Sequence, residues 1–449
     1  MADIDIAVLS MDIRSSPSAL EQGDLGHRVE LVDCYQLAQT DLSRFALLVV
    51  PSMIDQEHLA AHQSSIRAYL DGGGVLVFGG QLHRDWLPGA SRFEAISPPS
   101  LAAYQVAEIV EHPIFAGVQP DDLTFRRGVA GFFARGHHPP PEGAEVLIRL
   151  SGGLPVTYLD RVSTAGTILL QANGDLLDYG ARGDDNTAAR IPAQLVAWAV
   201  RESARRRATA SAAPMPDERE GEPEPVMGGP AASGRGGLAA VYGGSAQHHR
   251  SLTMPRYAQY LRGGLLYLPE LPDTDLSGYD GLLIPERLHR GQLARAADRI
   301  LEYLNGGGTV ISFSGGEPLP EFLPGVRWEH RPTNFWWWLE PGAELGLQAP
   351  NPDHALFDHL SVRDCTWHYH GALDPPEGAE VLVALPSGEA LLYVDRVTTP
   401  GTLVIATLDP MSHFGSHFMP AAERFLNGFL PWVASAVGDP ERSRLEISR

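Results

Sequence analysis

At 449 residues the chain is too long for one compact core and suits two domains of ordinary size with a linker between them. Its formal net charge of −21 excludes the charge attraction on which nucleic-acid and anionic-membrane binding depend. The apolar share of 44% is enough to fill large cores, yet no apolar run reaches the length of a membrane span. Cys34 and Cys365 are too few for a disulfide framework or a cysteine-rich metal site. All 34 basic residues are arginine. A lysine-free chain fits GC-rich coding, and it also escapes any lysine-directed modification. The acidic opening, Met1-Ala2-Asp3-Ile4-Asp5, is unlike the basic start of a secretory signal and points to the cytoplasm.

Short apolar, β-rich runs alternate with amphipathic stretches. Strands are expected at Ile4–Leu9, Val29–Val32, Ala46–Val50 and Val75–Phe78, with a helix over Gln56–Leu70 stopping at the triplet Gly72–Gly74. Runs that are apolar throughout imply parallel strands covered on both faces. Glu145–Leu150, Val156–Asp160 and Thr167–Gln171 read as antiparallel, and a helix over Ala188–Arg201 closes the unit. From Ala204 to about Gly237 the chain turns to Arg, Ala, Ser, Pro, Glu and Gly, the composition of a flexible linker. Arg205–Arg207 and the acidic run Asp217–Glu224 within it are expected to be solvated. The pattern then restarts, with strands at Leu238–Tyr242, Leu265–Leu268, Leu282–Ile284 and Val310–Phe313 and a helix over Gly291–Leu304 that ends at Gly306–Gly308. Antiparallel strands follow near Glu380–Ala384, Ala390–Asp395 and Thr402–Thr407, and Pro420–Val437 is the closing helix.

The restart is a duplication. PPEGAEVL at Pro140–Leu147 recurs at Pro375–Leu382, and Asp160-Arg161-Val162 recurs as Asp395-Arg396-Val397, both 235 residues on. Gly166-Thr167 returns as Gly401-Thr402 at the same shift, and Tyr179-Gly180 is echoed by Phe414-Gly415. Upstream, Asp41-Leu42-Ser43 matches Asp275-Leu276-Ser277 and Pro51 matches Pro285, now 234 residues on. Leu87-Pro88-Gly89 and Leu323-Pro324-Gly325 are 236 apart. Chance does not hold so constant a register over a domain. The expected organisation is one domain over 1–203, a linker over 204–236, a second domain over 237–437 and a tail over 438–449.

Tyr279-Asp280-Gly281 entering a strand, Gly306–Phe313, His354-Ala355-Leu356-Phe357 and the ending Asp409 to Trp432 resemble class I glutamine amidotransferase-like domains. Within them the likeness is greatest to the ThuA-like (trehalose utilisation) branch, and it covers nearly the whole of both copies. It implies an α/β fold: two tandem flavodoxin-like, doubly wound sheets, each with an inserted or appended layer of extra antiparallel strands. Amidotransferases of this superfamily need a cysteine nucleophile at a strand–helix elbow, with a histidine oriented by a carboxylate. The elbows here read Phe78-Gly79-Gly80-Gln81 and Phe313-Ser314-Gly315-Gly316, without cysteine. Cys34 follows a different strand and Cys365 follows the His354–Phe357 segment, so both are expected to be small buried apolar residues. The resemblance therefore implies a domain that is not an amidotransferase.

In parallel sheets ligands bind beyond the carboxyl ends of strands, so the loops there carry the functional reading. After its first strand the second copy has Gly243-Gly244-Ser245-Ala246-Gln247-His248-His249, where the first has Met11-Asp12-Ile13-Arg14. After the third it has Pro285-Glu286-Arg287 against Pro51-Ser52-Met53. Trp367-His368-Tyr369-His370 faces Phe132-Phe133-Ala134-Arg135, and Asp409, His413 and His417 stand where the first copy has Gly174, Asp178 and Arg182. The second copy has gathered the histidines, which suit proton transfer near neutral pH and borderline metals. His413 and His417, four apart, would share one helical face as metal pairs do, and His368 and His370 would share one face of a strand. His413, His368, Glu286 and Ser314 are thus the candidate catalytic groups, with Ser314 as a nucleophile served by a histidine base. His248, His249, Gly315, Gly316, Trp336 and His370 are the candidate ligand-binding residues. The pattern favours a metal-free polar pocket; the alternative is a divalent metal ion, the one cofactor suggested, with His413, His417 and His368 as its candidate ligands.

In Asn334-Phe335-Trp336-Trp337-Trp338-Leu339 three successive tryptophans cannot all enter one core, so at least one is expected to cover the site or the other copy. The alternative is an edge strand buried between the domains. His83, His137 and His138 of the first copy are expected on surface loops. The second domain is read as binding, or hydrolysing, a small polar or carbohydrate-like ligand. The two copies are expected to pack as a pseudo-dimer, with neither nucleic acid nor membrane as partner and a homo-oligomer left open. The competing reading is a non-catalytic scaffold or regulatory interaction protein.

Overall fold

The computed structural model describes residues 5–12, 27–180, 186–211, 236–317, 319–331, 335–417 and 419–438. Ile4, Ile13, Arg14, Arg182, Asn334, Asp217–Glu224 with the rest of 212–235, and the tail from 439 lie outside the described residues. The chain divides into two compact units, the first taking in Ser16–Met227 and the second Gly228–Arg449.

The first unit is built on an eight-stranded mixed sheet. Its strands are β1 (Asp5–Ser10), β2 (Arg28–Asp33), β3 (Phe45–Val50), β4 (Val75–Gly80), β5 (Val106–Ile109), β6 (Glu145–Leu150), β7 (Pro155–Asp160) and β8 (Thr167–Ala172). They lie in the order β2-β1-β3-β4-β8-β7-β6-β5. The first five in that order are parallel and the remaining pairs antiparallel.

The second unit repeats the plan with nine strands. They are β9 (Leu238–Tyr242), β10 (Gly264–Tyr267), β11 (Gly281–Ile284), β12 (Thr309–Phe313), β13 (Trp328–His330), β14 (Gly371–Leu373), β15 (Glu380–Ala384), β16 (Ala390–Asp395) and β17 (Thr402–Ala406). The order is β10-β9-β11-β12-β17-β16-β14-β13, with β15 also on β16. The extra antiparallel strands expected from the sequence are therefore present, and they extend the edge of the parallel sheet in its own plane.

Register and turns repeat as well as order. Thr167 pairs with Val75 across β8 and β4, and Thr402 with Thr309 across β17 and β12. Asp160 accepts the Val162 and Ser163 amides at 2.8 and 3.0 Å, and Asp395 accepts those of Val397 and Thr398 at the same distances. The recurring Gly-Thr has a steric cause: a Cβ on Gly166 would overlap the Gly74 carbonyl oxygen, and one on Gly401 that of Gly308. Both central strands β9 and β11 are buried along their whole length, as a parallel sheet covered on two faces requires.

The helix expected over Gln56–Leu70 is two, α1 (Gln56–Ala61) and α2 (Gln63–Asp71), offset where His62 leaves helical geometry at φ −117°. Its counterpart is likewise α5 (Arg290–Arg295) and α6 (Ala297–Asn305), offset at Ala296. The closing helix α3 (Ile191–Ala210) runs into the stretch read as linker, and Arg205 and Arg206 are anchored there on Glu202. In the second unit α4 (Ala246–Thr253) follows β9, α7 (Pro410–Gly415) follows β17, and α8 (Pro420–Gly438) closes the domain. Phe425, Phe429 and Trp432 of α8 pack on Phe313 and Leu356 in one core; each fully buried ring contributes about 1.5–3 kcal/mol. No helix among the described residues is long and apolar enough to cross a membrane.

Candidate functional site

Asp409 is the hub of the second unit's polar cluster. It follows β17, is fully buried, and immediately precedes Pro410, whose missing N–H suits the first position of α7. Its Oδ1 accepts from Trp367 Nε1 at 3.1 Å, and its Oδ2 accepts from Arg287 Nη2 at 3.1 Å. His370 Nε2 and His413 Nε2 each lie 3.2 Å from Oδ2, and His368 Nε2 lies 4.0 Å from Oδ1. His413 Nε2 also stands 2.8 Å from His368 Nε2. Despite its burial Asp409 is held well below the usual carboxylate range by His413 and His370.

These distances describe a donor set around a small centre. The ligand atoms of His368, His370 and Asp409 lie within 4.8 Å of one another, and this group can hold a metal ion. Bonds of about 2.0–2.1 Å from tetrahedral zinc to its ligands place neighbouring ligand atoms about 3.3 Å apart. His413 Nε2 has one in-plane direction, yet it meets both His368 and Asp409. A single shared proton, or a single cation, must serve both contacts.

His413 does reach the cluster from a helix, but not through a pairing with His417. The pair four apart that meets on the helical turn is Asp409 and His413, since α7 ends at Gly415 and His417 takes a left-handed φ of +59°. Neither His413 nor His417 is in the metal-capable group, so of the three expected metal ligands only His368 belongs to it; His413 meets that group through its contacts to His368 and Asp409. His368 and His370 do point the same way, with rings 4.9 Å apart, although their segment enters β14 as irregular chain. Burial, reinforced by His413, holds the His368 imidazole well below its ordinary value and so in its neutral, ligating form.

Behind the hub, the loop after β11 brings Glu286 and Arg287. Glu286 is buried, and its Oε1 accepts the Ser412 amide at 2.6 Å. Burial and then the charge of Asp409 push its carboxyl up to about 8. Glu317 Oε1 accepts the Arg287 and Gly315 amides at 2.8 and 2.9 Å, fixing the loop after β12 against the loop after β11. A Cβ on Gly315 would press on Glu286 Cγ and Arg287 Nε, and one on Gly316, at φ +108°, would meet His370. Both glycines thus lie at the cluster because side chains there would fill it. Ser314 is buried beside them with its hydroxyl donating to the Glu317 carbonyl at 2.5 Å, a brace for the loop.

His248 and His249 lie in α4, whose cap is Ser245, and not in an open loop. His248 is fully buried beside the Glu286 main chain, and burial lowers it to about 4. The His249 ring lies 6.3 Å from Tyr242. Neither belongs to the metal-capable group. The aromatic that covers the cluster is Phe335: its ring is 4.7 Å from His368 and 5.7 Å from His370, and the residue is 49% exposed. Trp336 sits next to it, while Trp337–Leu339 forms a short 3-10 turn instead of an edge strand. Cys34 and Cys365 are buried, as expected. His138 in the first unit is also buried, accepting the Leu82 amide at 3.0 Å, and not on the surface.

Asp409, Arg287, Trp367 and Phe335 stand in segments that the sequence singled out, but nothing there gave them a role of their own in the cluster. The signal for Asp409 was present: an Asp-Pro step at a strand end where the first copy has glycine.

No protein-family model matches the chain, and no curated protein matches it. Among solved structures it is similar to a cytoplasmic protein from Salmonella typhimurium LT2, at 15% identity over 44% of this chain and 99% of that one, with a TM-score of 0.30. A second Salmonella typhimurium cytoplasmic protein is similar at 12% identity, covering 43% of this chain and 98% of its own, with a TM-score of 0.29. An exo-beta-1,4-mannosidase from Opitutaceae bacterium strain TAV5 is similar at 12% identity over 53% of this chain and 38% of that one, with a TM-score of 0.27.

Proposed function

We propose that the second unit is a metal-dependent, non-amidotransferase domain of the ThuA-like kind that binds and hydrolyses a small polar, carbohydrate-like ligand in the cytoplasm. The observation that carries this reading is the convergence of His368, His370 and His413 on the buried carboxylate of Asp409. The flavodoxin-like reading of both units is supported by the strand order, in which the second strand, the first, the third and the fourth precede a fifth parallel one.

A divalent ion held by His368, His370 and Asp409, with His413 beside it, would polarise a ligand oxygen or lower the pKa of a bound water. The chain's own residues supply the rest. Asp409 carries the charge that favours a cation, and Trp367 and Arg287 fix its orientation by donating to its two oxygens. Phe335 offers an apolar face above the histidines, suited to the C–H face of a sugar-like ligand. The first unit has Arg135, Gly174 and Asp178 at the positions of His370, Asp409 and His413, so it is the non-catalytic partner in this reading.

The test is zinc analysis of the full chain after chelation and reconstitution, followed by a hydrolysis screen on small glycosides and esters with and without chelator. Wild type is expected to take up about one Zn²⁺ per chain, and His370→Ala and Asp409→Asn none. A wild type that binds neither Zn²⁺ nor Mn²⁺ at neutral pH refutes the metal centre.

A further inference from the structure

The duplication supplies an internal control at the opposite end of the sheet, away from the histidines. In the first unit Glu202 lies one helical turn beyond Trp198 on α3 and is almost wholly buried. Its carboxylate accepts from Arg161 Nε at 2.8 Å, from Thr167 Oγ1 at 2.8 Å and from Arg205 Nη2 at 2.8 Å. Burial alone would raise this group, yet these hydrogen bonds hold it down to about 2.

The second unit keeps the donors and has no carboxylate at that position. Trp432 is the equivalent of Trp198: each packs on the histidine that caps the HPIF or HALF turn, His112 at 5.5 Å and His354 at 5.6 Å. One turn beyond Trp432 stands Ala436. Arg396 and Thr402 are the equivalents of Arg161 and Thr167, 235 residues on. A cavity of about 90 Å³ opens there, lined by Arg396, Thr402, Trp432 and Ala436 among others. One water needs on the order of 10–15 Å³ on this measure, so the space holds several waters or one small organic ion. Arg396 Nε, whose counterpart donates to Glu202, is buried without a hydrogen-bond partner among the described residues. Its Nη1 lies 3.7 Å from Glu380. Among the described residues Asp358 is the one carboxylate lining the cavity, with His359 beside it.

We infer that this cavity is a binding site for a small monocarboxylate, which takes the place that the Glu202 side chain occupies in the first unit. The atoms by which Glu exceeds Ala, one methylene and a carboxylate group, have the composition of an acetate ion. The ligand class follows from that identity: a short-chain carboxylate whose oxygens accept from Arg396 and Thr402. The first unit's extra arginines on Glu202 have no described counterpart at the cavity, so binding is expected in the millimolar range. This site is independent of the metal centre.

Acetate is therefore the probe, followed on the full chain by saturation-transfer NMR at constant ionic strength, with chloride as the control anion. Wild type is expected to show saturable acetate binding. Ala436→Glu, which supplies the missing atoms in the chain itself, is expected to weaken it at least tenfold while keeping or raising the thermal midpoint. Glu202→Ala is expected to create a second acetate site in the first unit. Absence of saturable acetate binding to wild type overturns the inference. So does equal binding by wild type and folded Ala436→Glu.

Discussion

Glu202→Gln tests whether the electrostatics read from the first unit are quantitatively right. The wild-type carboxylate is 6% exposed and receives Arg161, Thr167 and Arg205. Its carboxyl is held at about 2, down from an ordinary value near 4.5. At about 1.4 kcal/mol per pKa unit this corresponds to roughly 3 kcal/mol, and the solvent screening of exposed Arg205 reduces it to about 2. A folded-state value below the unfolded one contributes stability that is complete above about 4.5 and fades as pH falls through about 2. Glu202→Gln is therefore expected to lower the unfolding free energy of the first unit by about 2 kcal/mol at pH 7. The gap should narrow as the pH falls through that window. Denaturant unfolding of the full chain, with amide exchange in β8 to isolate the first unit, measures both quantities. A loss under about 0.5 kcal/mol at pH 7, or a loss as large at pH 2 as at pH 7, refutes the reasoning.

Trp367→Phe removes the indole donor to Asp409 Oδ1 and is expected to weaken Zn²⁺ binding about 10–100-fold with the fold intact, as read by competition with a chelator. His417→Ala is expected to leave zinc affinity unchanged, whereas His413→Ala is expected to reduce it at least tenfold; equal losses would put His417 back into the site. Gly166→Ala and Gly401→Ala each force a Cβ onto a neighbouring carbonyl oxygen and are expected to destabilise their own unit by about 3 kcal/mol, seen as one displaced transition in denaturant. In chelated protein, Glu286→Gln is expected to remove a fall in stability between about pH 4.5 and 8. An acid whose folded value is raised to about 8 binds its proton more tightly folded than unfolded, so ionising it costs stability as the pH rises.

The duplication and most strands were legible in the sequence because both are local properties. Leu238–Tyr242, Glu145–Leu150, Glu380–Ala384 and Ala390–Asp395 fall where the apolar runs place them. Helix continuity was less legible: the helices break at His62 and Ala296, and no Gly or Pro marks either offset. The end of α3 was misplaced because Arg205 and Arg206 look like linker residues until Glu202, on the same helix, is seen to hold them. Of the site, the histidines were visible by type and by their absence from the first copy. Their partners were not, since Arg287, Trp367 and Phe335 read as ordinary residues of loop and core.

The sequence by itself determined that there are two copies of one α/β unit, that neither elbow carries a cysteine, and that the histidines accumulate in the second. Composition and periodicity are carried residue by residue, so they survive without a fold. Only the tertiary structure decided that Asp409, not His417, completes the cluster with His368, His370 and His413, because that choice depends on where α7 stops and which way each ring turns. It also decided that the absence of one glutamate, Glu202 in the first copy and Ala436 in the second, leaves a cavity beside an arginine. A missing side chain has no mark in the sequence until the space around it is known.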